Sequence, residues 1–146
     1  MSVLRISTDP SELDVGMIHR FLSTESYWAR GISRAVLEHA LAHSLCFGGY
    51  LDRSQVAFAR VVTDRATFAH LKDVFVLPAF RGRGFATSLM QAVMAHSELR
   101  AVTFTLQTGD AHTLYEKFGF ARPAHPERSM VRPGSFLDGL NDVEDQ

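Results

Sequence analysis

The chain has 146 residues, of which 46% are hydrophobic and 21% charged, and its formal net charge is −1 at pH 7. This composition is typical of a single folded domain over residues 1–146 and excludes a disordered chain. The near-neutral net charge lacks the excess of positive charge that is typical of nucleic-acid-binding proteins, so we expect no nucleic-acid partner.

The first third of the chain predicts two helices. Asp9 can cap a helix that has proline at its first position and continues to about Ser23, because apolar residues recur at helical spacing. Ser33 can cap the second helix. The connection between them, residues 24–31, is polar and aromatic.

Strands are predicted in the next part of the chain, where β-branched and aromatic residues dominate. They run from Cys46 to Leu51, from Gln55 to Val62 and from Thr67 to Leu77. The first two form a hairpin around Asp52-Arg53-Ser54. The third delivers the chain into a glycine-rich loop.

That loop, residues 81–84, precedes a predicted helix from Phe85 to about Ser97. Its two glycines allow backbone N–H groups to approach an anion at the positive end of the helix dipole, and its two arginines add positive charge. A Walker loop is excluded because no lysine followed by Ser/Thr stands in register. A dinucleotide fingerprint is a poor match, because its sixth position is Thr87 and no carboxylate lies in residues 101–109.

The last third predicts one strand from Ala101 to Gln107 and a short helix that Asp110 can cap, with Gly119 at the end of the helix. A final β region is expected from Phe120 through Arg132. Residues 137–146 are acidic and are expected to fray.

Two motifs in this part of the chain resemble one family. Arg81-Gly82-Arg83-Gly84-Phe85-Ala86 matches the Gln/Arg-x-x-Gly-x-Gly/Ala acyl-CoA-binding motif of the GNAT N-acetyltransferases, and Leu114–Phe120 resembles their Leu-Tyr-Glu-Lys-x-Gly-Phe signature. The resemblance implies the α/β (α+β) GNAT fold, in which helices flank a mixed, mostly antiparallel central sheet, in the order ααββββαβαβ. It also implies an acetyl-CoA-dependent N-acetyltransferase, whose acceptor, the primary amine of a small molecule, attacks the thioester directly in a ternary complex.

The resemblance also assigns residues to acetyl-CoA, and no metal is expected. The pantetheine arm would lie along the strand before the loop, and the pyrophosphate over the loop amides. Thr108 stands where the family often has a pantetheine-binding Asn. The residues so assigned are Val74, Phe75, Val76, Arg81, Gly82, Arg83, Gly84, Phe85, Ala86, Thr87 and Thr108.

Catalysis requires an acid and a base. By resemblance Tyr115 protonates the departing CoA thiolate, and a phenol with a pKa near 10 is competent to do so at pH 7; the alternative is a packing aromatic. An alkylammonium acceptor has a pKa of about 10.4 and must lose a proton before it attacks. Asp73 and His70 are the nearest titratable candidates, although Asp73 could instead bind the charge of the substrate and His70 could be a surface residue.

Family analogy places acceptor selection in the first two helices and their connection. Phe21, Tyr27, Trp28 and Arg30 form an aromatic and basic cluster, in which Arg30 could meet a carboxylate of the acceptor. The alternative is that Phe21 belongs to the core and the others pack the connection.

Other features bear on location and on rival functions. Cys46 is the only cysteine, the N-terminus lacks the apolar core of a secretory signal, and no run approaches the roughly 18 apolar residues of a membrane span, so we expect a cytoplasmic protein with no membrane partner. Three other functions are compatible with the sequence: a non-catalytic acyl-CoA sensor, a protein N-terminal acetyltransferase, and an interaction scaffold. The scaffold could form a homodimer joined through its C-terminal strands. The sequence leaves the acceptor open.

Overall fold

A five-stranded sheet forms the centre of the computed structural model, which describes residues 3–138. The strands lie side by side in chain order, with the first four antiparallel and the fifth parallel to the fourth. They are β1 (Arg5–Ser7), β2 (Leu45–Leu51), β3 (Ser54–Thr63), β4 (Phe68–Val76) and β5 (Thr103–Leu106). The predicted fold class, a mixed and mostly antiparallel sheet flanked by helices, is confirmed.

The helices are α1 (Val15–Arg20), α2 (Arg34–Ala42), α3 (Phe85–Ala95) and α4 (His112–Glu116). The α2 cap is as predicted, since the Ser33 hydroxyl accepts from the Val36 N–H at 3.2 Å. Asp9 caps only a 3₁₀ turn, and α1 begins later, where the Asp14 carboxylate accepts from the Met17 N–H at 3.1 Å. A π turn, Phe21–Glu25, continues α1 up to the aromatic connection.

The predicted element order needs three corrections within residues 3–138, where the observed order is βααβββαβα. Strand β1 was missed because three residues are too short to show alternation. Three strands, not four, separate α2 from α3. The predicted β region from Phe120 to Arg132 contains no strand, and Pro123 and Pro126 cannot donate to a ladder there. Most of the predicted acidic tail lies outside the described residues.

Each face of the sheet buries its own apolar layer. On one face, Ile18, Leu22 and Leu37 of the first two helical segments pack with Phe58 and other sheet residues. On the other face, α3 contributes a fully buried row of Leu89, Met90 and Val93. Burying each such side chain stabilises the fold by about 1.5–3 kcal/mol relative to leaving it exposed to water. None of the helices in residues 3–138 is long and apolar enough to cross a membrane.

Two irregularities in β4 create the space for a site. Phe58 pairs with Phe75 and Arg60 with Lys72, so β4 carries an extra residue there, and Asp73 adopts φ of 55° in this bulge. The pairing of β4 with β5 ends at Leu71 and Leu106. Beyond that point the two parallel strands separate, and residues 72–76 have no strand partner on the β5 side in the described part of the chain.

Candidate active site

The separation of β4 from β5 opens a cavity of about 350 Å³. Its walls come from β4, from the loop that follows β5, from α4 and from the aromatic connection between the first two helices. The residues that line it are Tyr27, Trp28, His70, Leu71, Lys72, Asp73, Val74, Leu106, Gln107, Thr108, Gly109, Asp110, Ala111, Tyr115 and Phe136.

The glycine loop lies at the end of β4. Gly82 and Gly84 have φ of 78° and 80°, a left-handed conformation that favours glycine, and a Cβ at either position would meet nothing within 4 Å. Helix α3 starts directly after Gly84 without a side-chain cap, so its first N–H groups are available to an anion. Arg81 braces the loop, since its Nε donates to the Val76 carbonyl at 3.0 Å, and the Arg83 guanidinium lies over the Phe80 ring at 5.5 Å.

The strand segment Val74–Val76 presents mainly its backbone to the open side of β4. Phe75 and Val76 are buried, and the Phe75 ring stacks on Phe21 at 4.0 Å in the helical layer. An extended ligand on the open side of β4 would therefore meet the Val74 side chain and backbone groups of this segment, of which the Val76 carbonyl already accepts from Arg81.

Tyr115 lies on α4 with 8% of its surface exposed. Burial, and to a smaller extent the charges of Asp110 and of an ionised Tyr27, raise the pKa of Tyr115 to about 12. The phenol is therefore protonated at neutral pH and can donate. Near it, the Thr108 hydroxyl accepts from the Ala111 N–H at 3.0 Å and keeps its own proton free for another partner.

Asp73 belongs to a buried ion pair on the cavity wall. Its Oδ2 accepts from Arg60 Nε at 2.8 Å, and its Oδ1 accepts from Trp28 Nε1 at 2.8 Å. The Asp73 side chain is 5% exposed and that of Arg60 is 12% exposed. Both carboxylate oxygens are thus used to hold neighbouring side chains.

His70 lies two residues further from the bulge than Lys72, on the edge next to β5. Its Nδ1 shares a hydrogen bond of 2.7 Å with the Thr105 hydroxyl. Burial lowers the pKa of His70 below its ordinary value, and the charges of Lys72 and Arg60 lower it further. The imidazole is therefore neutral at pH 7 and can accept a proton.

The structure brings only half of the predicted acceptor cluster to the cavity. Tyr27 and Trp28 lie there at a ring separation of 5.0 Å, and the Tyr27 hydroxyl accepts from the Gly109 N–H at 3.0 Å, which ties the connection to the loop after β5. Phe21 is in the core, and Arg30 is exposed and does not line the cavity.

Sequence reasoning missed Lys72 and Phe136, which both line the cavity and approach each other at 5.6 Å between Nζ and ring. Lys72 stands between the two predicted titratable residues, and alternation along β4 could have placed it on the same face as His70. Nothing in the sequence signals Phe136, because it depends on the path of an irregular segment. Residues 3–138 contain no group of three or more His, Cys, Asp or Glu side chains arranged for a metal.

Comparison with known proteins identifies the family of this chain. Residues 42–122 match the family described as "Acetyltransferase (GNAT) domain". A protein of Gibberella zeae named "Putative acetyltransferase FG08082" is 33% identical over 137 residues, which cover 78% of this chain and 77% of that protein.

Solved structures agree as well. A Xanthomonas campestris protein, described as a "putative acetyltransferase belonging to the gnat family", is 52% identical, with a TM-score of 0.90 over 94% of this chain and 97% of that one. A Clostridium acetobutylicum protein described as a "predicted acetyltransferase with acetyl-CoA" is 16% identical and shares the fold, with a TM-score of 0.62 over 92% of this chain and 97% of that one. The chain belongs to the GNAT family of acetyltransferases.

Proposed function

We propose that the protein is an acetyl-CoA-dependent N-acetyltransferase that acetylates the primary amine of a small molecule. The observation that carries the proposal is the arrangement at the open side of β4, with the glycine loop at one end and Tyr115 at the other. The pantetheine arm would pair with the backbone of Val74–Val76, and the pyrophosphate would bind the amides of residues 82–87. The fold shared with the acetyl-CoA-bound Clostridium structure supports this placement.

We propose a direct transfer at these positions. The neutral amine attacks the thioester carbonyl carbon and forms the C–N bond, while a backbone N–H near the bulge stabilises the developing oxyanion. The C–S bond then breaks, and Tyr115 gives its proton to the CoA thiolate. Direct attack needs no acyl-enzyme, which agrees with a buried Cys46 thiol whose pKa burial raises to about 11.

We assign the removal of the amine proton to His70, directly or through a water. Its imidazole is neutral and faces the cavity. Asp73 is the weaker candidate, because both of its oxygens already accept hydrogen bonds from Arg60 and Trp28. In this proposal Asp73 is a positioning residue, which holds the indole of Trp28 on the cavity wall.

The cavity also bears on the acceptor. A volume of about 350 Å³ suits a small molecule. Lys72 takes the place that we predicted for Arg30, as a cation on the cavity wall that can meet a carboxylate or phosphate of the acceptor. We therefore propose an amine that also carries an anionic group.

The test starts with cofactor binding, measured as thermal unfolding with acetyl-CoA, CoA and NAD added separately. A ligand at a hundred times its Kd stabilises by about 2.7 kcal/mol, and we expect stabilisation by the CoA compounds alone. Thiol release is then measured with amino acids, amino sugars, polyamines and peptides as acceptors. Binding of acetyl-CoA without turnover of any amine would favour the sensor, and turnover of peptides alone would favour an N-terminal acetyltransferase.

Tyr115→Phe tests the proton donor. We expect kcat to fall about 100-fold or more while the Kd for acetyl-CoA stays unchanged, because the substitution removes only the hydroxyl that donates the proton. Tyr50→Phe is the matched control, since Tyr50 is also a buried tyrosine but does not line the cavity. An unchanged kcat for Tyr115→Phe would refute the donor role.

A further inference from the structure

The proposed proton donor lies on a very short helix. α4 has five residues, too few to be stable by itself in water, and it begins at His112 without a side-chain cap. At its other end the Phe120 ring packs against that of Tyr115 at 6.0 Å, but the chain that follows, residues 121–138, is exposed and contains no strand or α-helix. The orientation of Tyr115 toward β4 therefore depends on contacts at the start of α4.

Tyr27 makes such a contact. Its hydroxyl accepts from the Gly109 N–H at 3.0 Å, which joins residues that are 82 positions apart in the chain. The Tyr27 ring lies edge-on to that of Trp28 at 5.0 Å, and Trp28 Nε1 donates to Asp73 Oδ1 at 2.8 Å. We call Asp73, Trp28, Tyr27 and Gly109 the aromatic bridge. It runs from the bulge of β4 to the loop after β5, across the gap where the two strands separate.

Gly109 suits this contact because it has no side chain. A Cβ at residue 109 would lie 3.1 Å from the Tyr27 hydroxyl oxygen, closer than ordinary van der Waals contact. Gly109 does not have a positive φ, so the close approach, and not backbone freedom, accounts for a glycine here. Tyr27 is 60% exposed, so burial alone holds its ring only weakly. The hydroxyl is thus the part of Tyr27 that fixes the loop.

The position of Gly109 is passed on to the helix. The hydroxyl of Thr108, the preceding residue, accepts from the Ala111 N–H at 3.0 Å, which makes the turn into α4 compact. The Ala111 carbonyl in turn accepts from the Tyr115 N–H at 3.3 Å. A shift of Gly109 would therefore move the first turn of α4 and the phenol that it carries.

The aromatic bridge and the donor lie on opposite faces of the sheet. Trp28 packs against the layer of the first two helices, whereas Tyr115 belongs to the layer of α3. Both line the same cavity, which therefore passes through the gap between β4 and β5. A thioester in that gap would have the bridge on one side and Tyr115 on the other, so the bridge would influence how far the sulfur lies from the phenol.

We propose, on the basis of the function proposed above, that Tyr27 is a positioning residue whose hydroxyl fixes the start of α4 and thereby holds Tyr115 within reach of the departing sulfur. The C–S bond of the thioester breaks, its electron pair goes to sulfur, and the proton of the Tyr115 hydroxyl forms the S–H bond of CoA. Tyr27 exchanges no proton in this step. Trp28 and Asp73 supply the end of the bridge that is fixed on β4.

The first experiment measures the bridge without turnover. Hydrogen exchange of the Gly109 amide is followed by NMR in the wild type, in Tyr27→Phe and in Tyr50→Phe. We expect exchange to be at least about tenfold faster in Tyr27→Phe, because the amide loses its acceptor, and unchanged in Tyr50→Phe. Tyr50 is the matched control, because its hydroxyl makes no hydrogen bond within residues 3–138. Unchanged exchange in Tyr27→Phe would overturn the proposal, whether or not the protein uses acetyl-CoA.

The second experiment asks whether Tyr27 acts through Tyr115. In Tyr27→Phe, kcat should fall about tenfold, because a small displacement of the donor slows proton transfer. The KM for the amine should change by less than about twofold, because the aromatic wall of the cavity stays in place. Adding Tyr27→Phe to Tyr115→Phe should cause no further loss of kcat, because no donor is left to position.

The kinetic outcomes separate this role from the proposed function. A raised KM with unchanged kcat would make Tyr27 an acceptor-binding residue, and an additive loss in the double variant would mean that Tyr27 acts apart from Tyr115; either result overturns the proposal. Unchanged kcat in Tyr27→Phe, beside an active wild type, overturns only the role of Tyr27. Absence of turnover by the wild type with every amine refutes the proposed function, and the positioning role with it.

Discussion

Asp73→Asn should destabilise the protein strongly, because it removes the charge that compensates a buried guanidinium. Breaking a buried ion pair by removing one partner costs about 3–5 kcal/mol. The asparagine keeps an acceptor for the Trp28 indole and tolerates the φ of 55° at this bulge, so two other costs are avoided. We therefore expect the lower end of that range, a loss of about 3 kcal/mol.

The loss is measured by urea unfolding followed by far-UV circular dichroism. The midpoint should fall while the slope m is unchanged, and the thermal midpoint should fall by roughly 10 °C. Trp28 is the only tryptophan, so its fluorescence reports directly on whether the indole keeps its place beside residue 73.

A second substitution separates the ion pair from other effects. Arg60→Met keeps much of the apolar stem and removes the orphaned charge, so adding it to Asp73→Asn should recover most of the lost stability. A stabilising role for this ion pair is refuted if Asp73→Asn alone changes the free energy of unfolding by less than about 1 kcal/mol, or if the double variant is no more stable than the single one.

Three further predictions concern single positions. Gly84→Ala should lower the free energy of unfolding by about 1–2 kcal/mol, because residue 84 has a left-handed backbone, and should weaken acetyl-CoA binding at least tenfold when measured by calorimetry. Gly31→Ala, at φ of 84°, is the control and should lower the free energy of unfolding by a similar amount with unchanged affinity. Tyr50→Phe should raise the free energy of unfolding by about 1 kcal/mol in urea titrations, since the Tyr50 hydroxyl is buried without a partner in residues 3–138; a loss would contradict this. The pKa of His70 is lowered in the folded protein, so protonation of this imidazole disfavours the folded state and removes its ability to accept a proton. Stability and kcat/KM should therefore both fall as the pH drops from 6.5 through that lowered pKa, and His70→Gln should abolish the acid limb of both pH profiles.

The sequence predicted best what depends on local backbone chemistry. The glycine loop is an example, because positive φ at Gly82 and Gly84 and an uncapped helix start are encoded within a few residues. The Ser33 cap and the hairpin between β2 and β3 were predictable for the same reason.

What the sequence could not predict depends on register and on long-range packing. The pairing of Arg60 with Asp73 requires the bulge that turns Asp73 toward the helical layer, and no local pattern marks that bulge. Arg30 was grouped with Tyr27 and Trp28, and a core position for Phe21 was only one of two alternatives; the packing of the π turn is what separates core from cavity. Phe136 reaches the site by a route that follows no periodicity.

The π turn at Phe21–Glu25 has a consequence for how this protein could diversify. Its Ser26 N–H donates to the Phe21 carbonyl, five residues back, so the turn holds one residue more than an α-helical turn. Deleting one residue there would restore an α-helical turn and rotate the following side chains by about 100°. Such a change in length would re-aim Tyr27 and Trp28 and break the hydrogen bond from Trp28 to Asp73 of β4, but it would leave the glycine loop unchanged. In the proposed acetyltransferase, an insertion or deletion in this turn would therefore alter the acceptor side of the cavity while the glycine loop is inherited intact.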